Sequence, residues 1–312
     1  VRLADERPSI VVIAGPTATG KTRLAVDLAL RFGGEVVNAD SMQVYRGMDV
    51  GTAKPTEEEK QGVPHHLIDV VNPDETFNAA VYRRAAVPVI ERISRAGLPC
   101  YVVGGSGLYI RALLGGLFDC PQESEELRRK LRRAWEEEGA LVLHERLRSL
   151  DPDAAESIHP NDRVRVVRAL EVIELTGQRF SLVSRSHGFR EEGFRALKIC
   201  LHMERERLYE RINRRARIMI ENGLVEETRL LLKQGYSSGL KPMQSIGYRH
   251  ALAHLNGDWD LETLVERLQA DTRRYAKRQI TWFRGDPEYR WRAPEDGDRI
   301  RREVVEFYGR SS

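Results

Sequence analysis

Ser9-Ile10-Val11-Val12-Ile13-Ala14-Gly15-Pro16-Thr17-Ala18-Thr19-Gly20-Lys21-Thr22 decides the fold. Its first six residues are a short β-branched run of strand character. After the glycine-rich turn the apolar residues Leu24, Leu28 and Phe32 recur at helical spacing. The turn matches G-x-x-x-x-G-K-[ST] without a gap, between a strand and a helix as that motif requires. Its glycines let backbone N–H groups wrap around a diphosphate at a helix N-terminus, Lys21 supplies a positive charge, and the Thr22 hydroxyl can ligate Mg²⁺. Gly15, Pro16, Thr17, Ala18, Thr19, Gly20, Lys21 and Thr22 are therefore the candidate diphosphate-binding residues, and Thr22 the candidate metal ligand.

Working outward, Val36 and Val37 suggest a second strand ending at Asp40, and Cys100-Tyr101-Val102-Val103 a later one opening into Gly104-Gly105-Ser106-Gly107. Thr76 to Arg95 reads as a helix that Pro88 should kink or split. Strands alternating with helices point to a parallel sheet. From about Gln122 to Phe194 the pattern is entirely helical and strongly charged, with Ser124 and the acids after it suited to a helix start. Leu197 to Leu201 returns to strand character, and helices over Glu204 to Gln234 and Leu261 to Phe283 follow. The expected fold is α/β, a P-loop NTPase-like parallel sheet core (1–121 and 195–312) with an inserted helical subdomain (122–194).

The composition sets bounds. The chain has 312 residues, 41% hydrophobic and 31% charged, and no apolar run nears the ~18 residues of a membrane span. Val1 to Ser9 is polar and lacks the apolar core of a secretory signal, so a cytoplasmic protein with no membrane partner is expected. Cys100, Cys120 and Cys200 lie too far apart for a zinc site or a disulfide framework and read as buried thiols. The net charge is only +3, from 50 Lys and Arg against 47 acids, so basic faces must be local.

A phosphate loop shows that polyphosphate binds, not what happens to it. An NTPase places an Asp after a second apolar strand to hold Mg²⁺, and Asp40 and Asp69 are the candidates. The segment Asp40-Ser41-Met42-Gln43-Val44-Tyr45-Arg46-Gly47-Met48-Asp49, continuing through Gly51-Thr52-Ala53-Lys54-Pro55, carries more information. It closely resembles the signature of the tRNA dimethylallyltransferases (tRNA isopentenyltransferases). His65 to Asp69, Val103 to Tyr109, Asn161-Asp162 through Arg165 and Arg168, Gln244 to Tyr248 and Ala276 to Phe283 are similar to further family segments in family order. The resemblance covers roughly residues 9 to 285.

It implies transfer of a dimethylallyl group from dimethylallyl diphosphate to N6 of adenosine 37 of tRNA, beside the anticodon, with Mg²⁺ as cofactor. Arg128, Arg165 and Arg168 match family positions that face tRNA, which implies that the inserted subdomain (122–194) binds tRNA, and Ser106 matches a position, commonly threonine, that also meets the RNA. Thr17 matches a residue at the diphosphate.

The chemistry needs a cationic end and a basic end. Lys21, the amides of residues 17 to 22 and Arg215 are placed at the departing diphosphate; Arg215, one helical turn after Arg211, reads equally well as a solvated charge. An adenine amino group is a poor nucleophile, so a carboxylate that takes its proton is useful, and Asp40 is the choice. The expected catalytic residues are Asp40, Thr17 and Arg215. Reaching N6 requires a flipped base, for which Asp40, Ser41, Met42 and Gln43 are candidate wall residues. Arg273, Arg274, Lys277, Arg278 and Arg284 form a basic stripe in which Lys277 and Arg278 are candidate tRNA contacts, while Tyr275, Trp282 and Phe283 are assigned to packing. A monomer is expected. The rival readings are an adenylate isopentenyltransferase acting on free nucleotide, a kinase, and a non-catalytic RNA-binding protein.

Overall fold

A computed structural model describes residues 7–116, 124–187 and 193–309. Its elements run in chain order as β1 Ser9–Ala14, α1 Lys21–Phe32, β2 Glu35–Asn38, α2 Glu57–Lys60, β3 His65–His66, α3 Ala79–Arg95, β4 Cys100–Gly104 and α4 Gly107–Gly115. Five helices follow: α5 Glu125–Glu138, α6 Ala140–Leu150, α7 Pro152–Ser157, α8 Arg163–Thr176 and α9 Phe180–His187. The chain continues with β5 Arg195–Leu201, α10 Arg205–Glu221, α11 Leu224–Lys233, α12 Tyr248–Leu255, α13 Leu261–Arg284, β6 Arg290–Arg292 and α14 Gly297–Gly309.

The six strands form one sheet in the order β3-β2-β4-β1-β5-β6, and every pairing is parallel. β1 lies between β4 and β5, with Ile13 opposite both Val103 and Ile199, so Ile10 to Ala14 are buried on both faces. This is why Ile10 to Ala14 is a continuous apolar run rather than an alternating one. Val11, Ile13, Val36, Tyr101, Val103, Leu197, Ile199 and Leu201 pack with Ala25 and Leu28 of α1 and Ile300 and Val304 of α14. The P-loop NTPase-like parallel sheet expected from the first strand and its loop is the sheet observed.

By contact, the chain divides into two compact units, Val1–Leu114 with Gly193–Ser312, and Gly115–Glu192. The second unit has its own core, in which Leu131 of α5, Leu143 and Leu147 of α6, Ala154 and Ala155 of α7 and Val166 and Leu170 of α8 meet. Asp151 caps α7 through Ala154 N–H and also accepts the Ser181 amide (2.7 Å) and hydroxyl (2.6 Å), which fixes the start of α9.

Two expectations need correcting. α3 begins after its Asn78 cap, whose side chain accepts the Ala80 and Val81 amides, and it continues to Arg95 as one helix that Pro88 does not split. The proline forfeits one ladder bond, but buried Tyr82, Ala86, Ile90 and Ile93 hold the helix together. The single helix expected from Glu204 to Gln234 is two, α10 and α11, because Gly223 adopts φ 93° and breaks the turn. Cys100 and Cys200 are buried free thiols; Cys120 lies outside the described residues. Among the described residues, no helix is long and apolar enough to cross a membrane.

Candidate active site at the carboxyl edge of the sheet

The phosphate loop leaves the carboxyl end of β1 and closes on the first turn of α1, where Lys21 and Thr22 sit. Gly20 precedes that turn without a side-chain cap, so the first-turn amides are left for an external anion. Inside the loop, the buried Thr19 hydroxyl donates to the Pro16 carbonyl at 2.8 Å, and Lys21 Nζ donates to the same oxygen at 2.8 Å. Ala18 takes φ 66°, in the left-handed region that costs a residue with a Cβ roughly 1–2 kcal/mol. Its methyl packs with Leu208 and Ile212 of α10 and Ala276 of α13, which offsets that strain. Two helices from late in the chain thus clamp a loop from its beginning.

Charge in this loop is poised for an anion. Burial pulls the Lys21 pKa down from its ordinary value to about 8, with Asp40 opposing the shift and Arg215 adding to it. Arg215 comes from α10, and its Nη1 lies 3.4 Å from Thr17 Oγ1. Burial and the neighbouring Arg211 also lower the Arg215 pKa. Arg211 approaches as well: a Cβ placed on Gly20 would lie 3.9 Å from its Nη2. Sequence reasoning passed over Arg211, although its i,i+4 spacing from Arg215 puts both on one helix face.

Asp40 stands just beyond β2. Its Oδ1 accepts the amides of Met42 (2.8 Å) and Gln43 (3.4 Å), forming a turn that fixes the carboxylate. The next strand end supports this turn. Ser106 Oγ accepts the Ser41 amide at 2.9 Å, and the Ser106 amide donates to Ala39 O at 3.2 Å. Ser106, expected to meet RNA, therefore also buttresses the Asp40 segment. Gln43 donates Nε2 to the carbonyls of Thr52 (3.3 Å) and Ala53 (3.2 Å), so any adenine contact in this arrangement runs through Oε1. The other candidate aspartate, Asp69, pairs with Lys54 at 2.5 Å and is not drawn into the phosphate loop.

Thr17 corrects one expectation. Its amide, expected among the diphosphate donors, donates to Gln279 Oε1 of α13 at 2.9 Å, and its hydroxyl accepts from Arg215 Nη1. In the sequence Gln279 stands out only as part of the run Ala276 to Phe283. The available signal was its place on the buried face of α13, which Ala276 and Phe283 share at helical spacing, where an amide is out of character.

The basic stripe on α13 is tied into the fold at some positions and open at others. Lys277 and Arg278 are exposed, with the Arg278 guanidinium 5.7 Å from the Tyr275 ring centre. Arg273 donates to Asn213 Oδ1 at 2.6 Å and Arg274 to Asp271 at 2.8 Å, so both have partners within the fold. Phe283 is fully buried, as assigned; Trp282 is 40% exposed and lays its indole edge against Gly107. In the helical unit, Arg128 and Arg168 converge on the fully buried Glu171, at 2.9 and 2.8 Å, rather than standing as independent charges. Arg165 is exposed and pairs loosely with Asp162 at 3.3 Å.

Comparison with known proteins gives this arrangement a family. Residues 43–286 match the model of the IPP transferases. The chain belongs to the IPP transferase family. It is 52% identical over 291 residues to a tRNA dimethylallyltransferase of Desulfosudis oleivorans, covering 93% of each chain. It is 50% identical to tRNA dimethylallyltransferase 2 of Syntrophus aciditrophicus, covering 97% of each. The full-length tRNA isopentenylpyrophosphate transferase of Bacillus halodurans shares the fold at TM-score 0.73 and 40% identity, with 98% of both chains covered. A eukaryotic dimethylallyltransferase captured acting on tRNA superposes at TM-score 0.79 and 30% identity, over 95% of this chain and 78% of that one. The family segment begins at Gln43, so the phosphate loop and Asp40 lie just upstream of it, within the span shared with the full-length relatives.

Proposed function

We propose that this IPP transferase moves the dimethylallyl group of dimethylallyl diphosphate onto N6 of adenosine 37 in tRNA and releases diphosphate. One observation carries the proposal: a phosphate loop with desolvated cations and a turn-held carboxylate share one edge of the sheet, close enough for Asp40 to act on the charge of Lys21. A phosphate site alone would suit a kinase. The paired carboxylate suits an acceptor that must lose a proton.

In this reading the amides after Thr17, Lys21 and Arg215 hold the diphosphate, and their charge stabilises the negative charge that builds on the leaving oxygen. The N6–C1 bond forms as the C1–O bond breaks, the diphosphate departs with the electron pair, and Asp40 takes the N6 proton. Gln43 Oε1 and the backbone around Ser41 and Met42 line the approach of the flipped base. Among the described residues no group of three or more His, Cys, Asp or Glu forms a standing metal site. The donor set nevertheless suits Mg²⁺, which binds readily through one hydroxyl, substrate phosphate oxygens and water, and Thr22 is the residue to hold it. Mg²⁺ there would neutralise charge on the departing diphosphate.

Lys277, Arg278 and Arg165 are the exposed cations assigned to the RNA backbone, and the helical unit is the assigned tRNA-binding element. Arg128 and Arg168 join them through Glu171, which aims both guanidinia. The protein would act in the cytoplasm as a monomer. The test is incubation with radiolabelled dimethylallyl diphosphate offered tRNA, AMP or ATP separately. Label in tRNA alone is the expected result; label in AMP or ATP would identify an adenylate isopentenyltransferase, and no transfer at all would overturn the proposal.

A further inference from the structure

The proposed reaction needs two ends held at a fixed separation, and one side chain spans the elements that carry them. Gln279 is 6% exposed. Its Oε1 accepts the Thr17 amide of the phosphate loop at 2.9 Å, and its Nε2 donates to the Gly105 carbonyl at 3.0 Å. The approach is close: with Gln279 in this place, a Cβ on Gly105 would lie 2.2 Å from its Nε2. The next residue, Ser106, bonds to Ala39 and Ser41, the two neighbours of Asp40. A continuous path of hydrogen bonds and single peptide links thus runs from Thr17 through Gln279, Gly105, Ser106 and Ser41 to Asp40.

We propose that Gln279 is a positioning residue that sets the gap between the leaving diphosphate and the proton-accepting carboxylate. The inference rests on the function proposed above. An amide is the side chain for this post, because it offers one acceptor and one donor on the same plane. Glutamate would keep the acceptor and lose the donor; methionine would fill the space with neither. α13 is also a firm base: Ala276 and Ile280, either side of Gln279, pack against the core that includes Ala18, Leu208 and Ile212.

Misplacement has a chemical signature. If N6 is held away from C1 when the C1–O bond weakens, water attacks C1 instead. The C1–O(water) bond forms, diphosphate leaves with its electron pair, the extra proton passes to solvent, and the product is dimethylallyl alcohol. An error on the order of 1 Å in alignment costs about 10²-fold in a positioned reaction.

The experiment compares wild type, Gln279→Met and Gln279→Glu at saturating dimethylallyl diphosphate and tRNA, measuring prenylated tRNA, dimethylallyl alcohol, both KM values and the melting temperature. The expected result for Gln279→Met is a kcat for transfer lower by about 10²-fold, both KM values little changed, and a clear rise in the ratio of alcohol to prenylated tRNA. Gln279→Glu should behave likewise at neutral pH. As pH falls it should recover relative to Gln279→Met, because a neutral carboxyl can again donate to Gly105. A purely structural residue would lower transfer and hydrolysis together and leave their ratio unchanged, which would overturn the proposal; so would transfer at the wild-type rate. Wild type that fails to prenylate tRNA overturns the underlying function, whereas active wild type with equally active variants overturns only the role of Gln279.

Discussion

Arg215 Nη1 lies 3.4 Å from Thr17 Oγ1, so α10 delivers a desolvated cation to a hydroxyl of the phosphate loop. From spacing alone this arginine was as readable as a solvated helix charge. Its position beside Arg211, with burial and like charge both working against ionisation, is the arrangement of a site waiting for an anion. Arg215→Ala should lower kcat/KM for the donor by about 10–100-fold, the worth of a charge-assisted hydrogen bond. Ligand-free stability should hold or rise, since a cation without its anion is removed. Paired kinetics and thermal melts check both parts.

Lys21→Ala and Thr22→Ala should each weaken dimethylallyl diphosphate binding, through loss of a charge and of a metal ligand. Lys21 adds a pH signature. Its pKa is lowered to about 8 in the ligand-free fold. Above that pH the donor must bind a neutral lysine or take up a proton, so donor Kd should rise with pH by up to about tenfold per unit. Stability has the opposite sign: the lowered pKa means the unfolded chain holds the Lys21 proton more tightly, so ligand-free stability attributable to Lys21 rises between pH 8 and 10.5. Calorimetric titration of the donor from pH 7 to 10 checks the first statement; a flat Kd in wild type contradicts it.

Arg165 and Arg168 should separate. Arg165→Ala removes an exposed cation and should raise the KM for tRNA while sparing donor affinity and stability. The loss should shrink with added salt, since each phosphate contact adds roughly 0.7–0.9 to the log–log salt slope. Arg168→Ala also strips one partner from the fully buried Glu171, so it should lower stability in addition to tRNA affinity. Filter binding across a salt series, beside urea denaturation, distinguishes the two.

Glu227 of α11 holds the far end of the Asp40 segment. Its carboxylate accepts the amides of Asp49 (2.9 Å), Val50 (2.8 Å) and Gly51 (3.0 Å) and the Tyr248 hydroxyl (2.5 Å). Glu227→Ala should cost ~3 kcal/mol or more, because several donors are orphaned at once. The thermal melt should fall, and Gln43, tied to Thr52 and Ala53 in the same loop, should lose its fixed place.

The phosphate loop and the first strands were legible because short local patterns decide them: a β-branched run, a spaced set of glycines, and Lys21-Thr22 at a helix start. Asp40 was legible for the same reason, at the end of a strand and inside a long motif. Gln279 and Arg211 were not. Their importance comes from contacts 174 and 262 residues away for Gln279, and from the close approach of α10 to Gly20 for Arg211. Such pairings are set by tertiary packing, which leaves only a faint mark in local sequence: one amide on an apolar helix face, two arginines a turn apart. The tethering of Arg128 and Arg168 by Glu171 was hidden likewise, since a glutamate in a charged helix gives no sign that it is buried. Pro88 misled in the other direction, because local chemistry argued for a break that packing overrides.

The central claim is that Asp40 takes the proton from the acceptor nitrogen, and Asp40→Asn tests it most directly. Asparagine keeps the Oδ1 acceptor used by the Met42 and Gln43 amides, so the turn should survive while the base is lost. Single-turnover transfer at saturating donor and tRNA should fall by roughly 10²–10⁴-fold with both affinities unchanged. A near-normal rate, or a rate restored by added Mg²⁺ together with weakened donor binding, would contradict the account.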